Sequence, residues 1–184
     1  MSEFSLTIAT AAQMRALGRS LATVLRAGDL VLLSGGLGAG KTTLTKGIGD
    51  GLGVRGPITS PTFVIARVHP PVGSAATGKR RPALVHADAY RLGSVLELDD
   101  LDLDTDTAAS VTVVEWGGGL AEGLAADRVE ITITPAGEVA DGDRDMDWDA
   151  EGAAADRPRT VRIAAVGERW EGVELPLLGL ADRL

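Results

Sequence analysis

The stretch Leu30-Val31-Leu32-Leu33-Ser34-Gly35-Gly36-Leu37-Gly38-Ala39-Gly40-Lys41-Thr42 decides the fold. Four consecutive apolar residues, 30–33, mark a strand buried on both faces. The run from Gly35 to Thr42 matches the Walker A pattern G-x-x-x-x-G-K-[ST]. Its glycines let the backbone reach positive φ and turn N–H groups inward as an anion nest. A helix predicted over Lys41–Leu52, closed by Gly53, aims its positive end at the same point. In such a loop Lys41 reaches the β- and γ-phosphates and the Thr42 hydroxyl meets Mg²⁺. A chance match arises in roughly 1 in 200 average chains of this kind. The strand before the loop and the helix after it argue further against coincidence.

Working outward, residues 6–8 read as a short strand. Thr10 opens a helix, and Gln13 completes a capping box. Met14, Leu17, Leu21, Val24 and Leu25 recur at helical spacing up to the stop at Gly28. Downstream, residues 63–68 read as a strand. Residues 84–87 and 111–114 are buried strands that end on Asp88 and Glu115. Residues 129–134 and 160–166 alternate by two and predict a hairpin. Residues 95–103 mix Leu with acids at roughly helical spacing. Residues 70–82 form a loop insertion. Residues 136–158 hold eight acids, two bases and few apolar side chains, which predicts a disordered acidic insertion. The expected class is α/β, a P-loop NTPase-like three-layer fold. Its central sheet is largely parallel, with antiparallel edge strands, the late hairpin supplying them at one edge. The whole chain, 1–184, reads as a single P-loop ATPase domain.

Composition excludes several alternatives. There is no Cys, so thiolate zinc and a cysteine nucleophile are excluded, and two His cannot build a multi-histidine metal centre. Aromatics are 3%, which weakens any reading based on base stacking or an aromatic sugar platform. The N-terminus has no basic segment followed by an apolar one, and no apolar run approaches a membrane span. The expectation is a cytoplasmic protein with no membrane partner. The net charge of −8 is localised: residues 97–106 and 138–158 together carry −12, leaving +4 on the rest. An acidic whole does not favour autonomous binding to a polyanion.

A P-loop nucleotidase needs an acid near Mg²⁺. Asp88 and Glu115 both sit where strands of an open α/β sheet present ligands. His86 shares the face of Asp88, and a structural histidine is as good a reading of it as a functional one. Asp100, Asp102, Asp104 and Asp106 lack the Gly and Glu of a calcium loop and read as a solvated face. Lys79-Arg80-Arg81 reads as a solubilising triplet.

Five elements in order give the chain a family resemblance. They are the loop at 37–43, Ser60-Pro61-Thr62-Phe63, His86-Ala87-Asp88-Ala89-Tyr90-Arg91, the acidic Leu-containing stretch at 97–104, and Glu115-Trp116. Over residues 5–134 it resembles the TsaE (YjeE) family, the ATPase subunit of the bacterial machinery that makes threonylcarbamoyladenosine in tRNA. The resemblance implies that Gly38, Ala39, Gly40, Lys41, Thr42 and Thr43 bind ATP. Thr62, within a switch-like loop, Trp116 and Thr10 are implied to lie near the nucleotide. Thr42 and Glu115 are the implied Mg²⁺ ligands, and Asp88, Glu115 and Lys41 the implied catalytic residues. The implied cofactors are ATP, with ADP as product, and Mg²⁺. The implied partner is a TsaB–TsaD-like complex, with tRNA reached through it. Gly36 and Gly117 depart from the family pattern, which usually has an acidic or Asn residue and a Pro there. Two rivals stay open: a small-molecule P-loop kinase, and a non-catalytic module that senses ATP. The kinase needs a basic lid, yet between Tyr90 and Glu115 the one base is Arg91.

Overall fold

Four parallel strands form the centre of an eight-stranded sheet in the computed structural model, which describes residues 2–61, 66–73, 81–89, 109–116, 125–136, 157–177 and 181–183. In chain order the elements are β1 (Ser2–Ile8), α1 (Ala11–Leu21), β2 (Leu30–Ser34), α2 (Lys41–Leu52), β3 (Ala66–His69) and β4 (Ala83–Asp88). They continue with β5 (Ser110–Glu115), β6 (Arg128–Pro135), β7 (Arg159–Val166), a 3-10 turn (Glu168–Trp170) and β8 (Ala181–Arg183). The sheet order is β3-β4-β5-β2-β6-β7-β1-β8. The pairs β4–β5, β5–β2 and β2–β6 are parallel. Antiparallel strands flank this centre on both sides, β3 on one and β7, β1 and β8 on the other. The hairpin reading placed them at one edge; β3 adds the second by folding back on β4.

Burial follows the sequence patterns. Every residue of β5 is buried, as a strand covered on both faces requires. β7 alternates buried and exposed over its first five residues, as a half-covered strand does. Both described helices lie on one face. Met14 and Leu17 of α1 and Leu44 and Ile48 of α2 join Val31, Leu33, Val113 and Ile131 in the main core. Leu30, Leu32, Ala87 and Val114 form a smaller cluster on the other face. The stretch at 95–103, read as roughly helical in spacing, lies outside the described residues. So do 74–80 of the loop insertion and most of the acidic insertion. The ends of that insertion are tied together by Ala136 N–H donating to Pro158 O at 2.8 Å.

Helix α1 begins as read, with the Thr10–Gln13 capping box formed. It ends earlier than the apolar spacing suggested. After Leu21 i→i+3 bonds set in, with Thr23 N–H on Ser20 O and Val24 N–H on Leu21 O, a carbonyl that Leu25 N–H shares at 3.3 Å. Arg169 Nη2 then donates to Val24 O at 2.9 Å, satisfying a carbonyl that the helix would otherwise have used. Val24 and Leu25 still pack on the core, so apolar spacing outlived the helix itself.

The two helices cross at glycines. A Cβ on Gly47 would stand 2.2 Å from Arg15 O, and one on Gly18 would stand 2.4 Å from Leu44 O. Backbone meets backbone there, so neither side can yield by a rotamer change. Gly47→Ala is expected to destabilise the fold by about 1–3 kcal/mol through overpacking. This comes despite the ~1 kcal/mol by which Ala usually improves a helix over Gly. Thermal unfolding checks it, with a midpoint lowered by several degrees; a raised midpoint would mean the helices part freely.

Candidate phosphate-binding site

The parallel strands all run to one edge, where ligands of open α/β sheets collect. The glycine loop leaves β2 at that edge. Asp88 and Glu115 close β4 and β5 side by side, as direct register partners. β7 runs antiparallel to β6, so Arg159 enters the same edge opposite Pro135 and Ile8.

The loop has the backbone that its glycines permit. Gly35, Gly38 and Gly40 have φ of 145°, 72° and 113°. Gly35 is needed twice over, because a Cβ there would lie 2.4 Å from Ile133 O on β6. Gly40 is the left-handed N-cap of α2. Gly36, Leu37 and Gly38 are exposed while Ala39 is buried, so the loop is anchored at its base and open at its tip.

Lys41 is turned into the protein. Its Nζ donates to Gly35 O at 2.7 Å and Gly36 O at 2.9 Å, and stands 3.7 Å from the centroid of the Trp116 ring. Burial lowers its pKa to about 8, against the opposing attraction of Glu115 and Asp88. Trp116 reaches this position through strain. Its φ of 61° is the one positive value among the described non-glycine residues. Its N–H still donates to Leu33 O at 2.8 Å, which fixes the turn against β2.

Next to the lysine, Thr42 Oγ1 donates to both oxygens of Glu115, at 2.9 and 3.1 Å. His86 Nε2 lies 2.8 Å from Glu115 Oε1. Strand alternation does put His86 on the face of Asp88, but its bond runs across to the neighbouring strand. Asp88 is 3% exposed, with Ser60 Oγ 3.5 Å from its Oδ2. Two hard oxygen donors, the Thr42 hydroxyl and the Glu115 carboxylate, therefore already converge. That set suits Mg²⁺, which takes few protein ligands and fills its shell from phosphate and water. No cluster of three or more His, Cys, Asp or Glu that could hold a metal occurs among the described residues.

Of the residues read from sequence, Gly38, Ala39, Gly40, Lys41, Thr42, Asp88, Glu115 and Trp116 come together here. Thr43 lies in the first turn of α2, half-buried. Thr10 has its hydroxyl engaged as the cap of α1, accepting from Gln13 N–H at 3.2 Å. Thr62 lies outside the described residues. Arg159 was not foreseen. Its Nε lies 3.6 Å from where a Gly40 Cβ would stand, and it is 6% exposed. The hairpin reading held the clue, because the second strand of a hairpin starts where the first one ends.

Among the described residues, no helix is long and apolar enough to cross a membrane. Residues 8–145 match the family profile described as Threonylcarbamoyl adenosine biosynthesis protein TsaE. A Streptomyces coelicolor protein named tRNA threonylcarbamoyladenosine biosynthesis protein TsaE is 54% identical over 166 residues, covering 90% of this chain and 99% of its own. A Bacillus subtilis protein of the same name is 33% identical over 160 residues, covering 86% of this chain and 84% of its own. The crystal structure of Bacillus subtilis YdiB superposes with a TM-score of 0.63 at 28% identity, covering 93% and 91% of the two chains.

Proposed function

Because the chain belongs to the TsaE family of threonylcarbamoyladenosine biosynthesis proteins, a family with a P-loop NTPase-like fold, we propose that it binds and slowly hydrolyses ATP in the service of that tRNA modification. Its turnover resets a TsaB–TsaD-like complex between rounds and leaves the transfer chemistry to that complex. The observation that carries the reading is the convergence of Lys41, Thr42, Asp88 and Glu115 on one glycine loop at the ligand edge.

Each residue then has a task. The loop N–H groups and the α2 N-terminus cradle the phosphates. Lys41 exchanges the Gly35 and Gly36 carbonyls for phosphate oxygens, which are stronger, charged acceptors. Thr42 and Glu115 hold Mg²⁺, which when bound neutralises charge on the phosphates. Asp88 orients the attacking water. Arg159, at Gly40, adds positive charge to the same edge.

The test is nucleotide affinity by calorimetry. Lys41→Ala is expected to lose a charge-assisted contact of about 1.5–3 kcal/mol, roughly 10- to 150-fold in affinity. Unchanged affinity in a folded variant would reject the reading. Acidity gives a second readout. In the free protein Lys41 deprotonates near pH 8. Bound phosphate favours the charged amine, so the complex keeps its proton to higher pH. Affinity is thus flat in this group below about pH 8 and falls above it, by up to tenfold per pH unit. Lys41→Arg removes that dependence, because a guanidinium stays charged.

A further inference from the structure

We infer that His86 is a positioning residue: its Nε2–H holds the Glu115 carboxylate in the orientation in which Glu115 and the Thr42 hydroxyl receive a divalent cation. The inference rests on the reading above and concerns a buried group which that reading leaves unused.

The placement follows from the sheet. β4 and β5 run parallel with His86 opposite Val113. Glu115, two residues further on, lies on the same face of the sheet, within reach of the ring. The two side chains are 0% and 3% exposed. Glu115 has Thr42 on both oxygens and His86 on Oε1, at 2.8 Å. A carboxylate only accepts, so the ring nitrogen facing it carries the proton. The other ring nitrogen, Nδ1, is buried and has no hydrogen-bond partner among the described residues. A histidine kept merely to fill space would be replaceable by an apolar side chain. This one points its single satisfied donor at the candidate metal ligand and leaves its other nitrogen idle. Outer partners of this kind fix a ligand's orientation, and their loss typically weakens metal binding 10- to 100-fold.

The experiment titrates Mg²⁺ against ADP affinity in the whole protein, for the natural sequence, His86→Leu and His86→Gln. His86→Leu should raise the Mg²⁺ midpoint about 10- to 100-fold and leave ADP affinity without Mg²⁺ unchanged. His86→Gln keeps an N–H donor at the Nε2 position and should restore the midpoint to within a few-fold. A purely structural histidine would lower both affinities together, and that result overturns the inference. So does an unchanged midpoint in His86→Leu. Absence of any Mg²⁺ effect in the natural protein would instead reject the ATP–Mg²⁺ reading itself, and the inference with it. If His86→Leu does not fold, the natural protein decides through ¹⁵N spectra, where its two histidines, His69 and His86, are the whole set. A proton on Nε2 of His86 is the expected result. A proton confined to Nδ1 overturns the inference.

Discussion

Asp88→Asn is expected to cut ATP turnover by about 10²–10⁴-fold, the range usual for a lost acid–base or water-orienting group. ATP affinity should hold within a few-fold. Asp88 closes β4 directly opposite Glu115, so its carboxylate stands beside the candidate Mg²⁺ ligands without being the residue that Thr42 contacts. Asparagine keeps the size and one acceptor oxygen but loses the charge that takes or orients a water proton. Asp88 is 3% exposed. Asparagine keeps the shape and an acceptor for Ser60 Oγ, and it removes a buried charge that stands beside the Glu115 carboxylate, so the thermal midpoint should still hold within a few degrees. Single-turnover hydrolysis with parallel thermal unfolding checks this. A natural rate, or a collapsed midpoint, would move Asp88 to a structural role.

ATP turnover by the isolated protein should be slow and should rise by about 10³-fold or more when a TsaB–TsaD pair is added, since a supplied arginine is worth roughly 10³–10⁵ in related NTPases. The proposed site neutralises only part of the transition-state charge. Lys41 and Arg159 are the cations against the glycine loop among the described residues. Arg159 lies at Gly40, the start of α2, and its Nη1 donates to Arg157 O at 2.9 Å, which holds it in place. Arg67 bonds to Thr59 at 3.2 Å on the exposed edge strand. Lys41 starts from a position bound to its own loop, so part of the binding energy is spent on freeing it. A partner that favours the loop-released lysine, or that supplies an arginine, accelerates hydrolysis by the same logic. Rates measured alone and with the partners decide it. A fast basal rate that partners leave unchanged would reject partner completion, and rapid phosphorylation of a small metabolite would favour a kinase.

The P-loop, its flanking strand and helix, the Thr10 cap and the Gly53 stop were legible because each is a local property. A left-handed glycine, a cap hydroxyl or an all-apolar strand needs only near neighbours to declare itself. The acids at the ends of β4 and β5 were legible for a related reason, since strand direction and the ligand edge follow from β/α alternation. The early end of α1 was not legible. Its apolar spacing continued to Leu25, while Arg169, far along the chain, took a carbonyl of that segment.

What the amino-acid sequence determined alone was therefore the nucleotide loop, the α/β class and the residues at the strand ends. Tertiary structure decided which of those residues meet. It put Glu115, not Asp88, under Thr42 and beside His86. It laid the strained Trp116 over Lys41 and brought Arg159 to Gly40. It also folded β3 back to make a second antiparallel edge. These outcomes depend on strand order and register between segments far apart in the chain. A register shift of one residue turns a side chain to the other face. No local pattern encodes that choice; the packing of the whole sheet against α1 and α2 makes it.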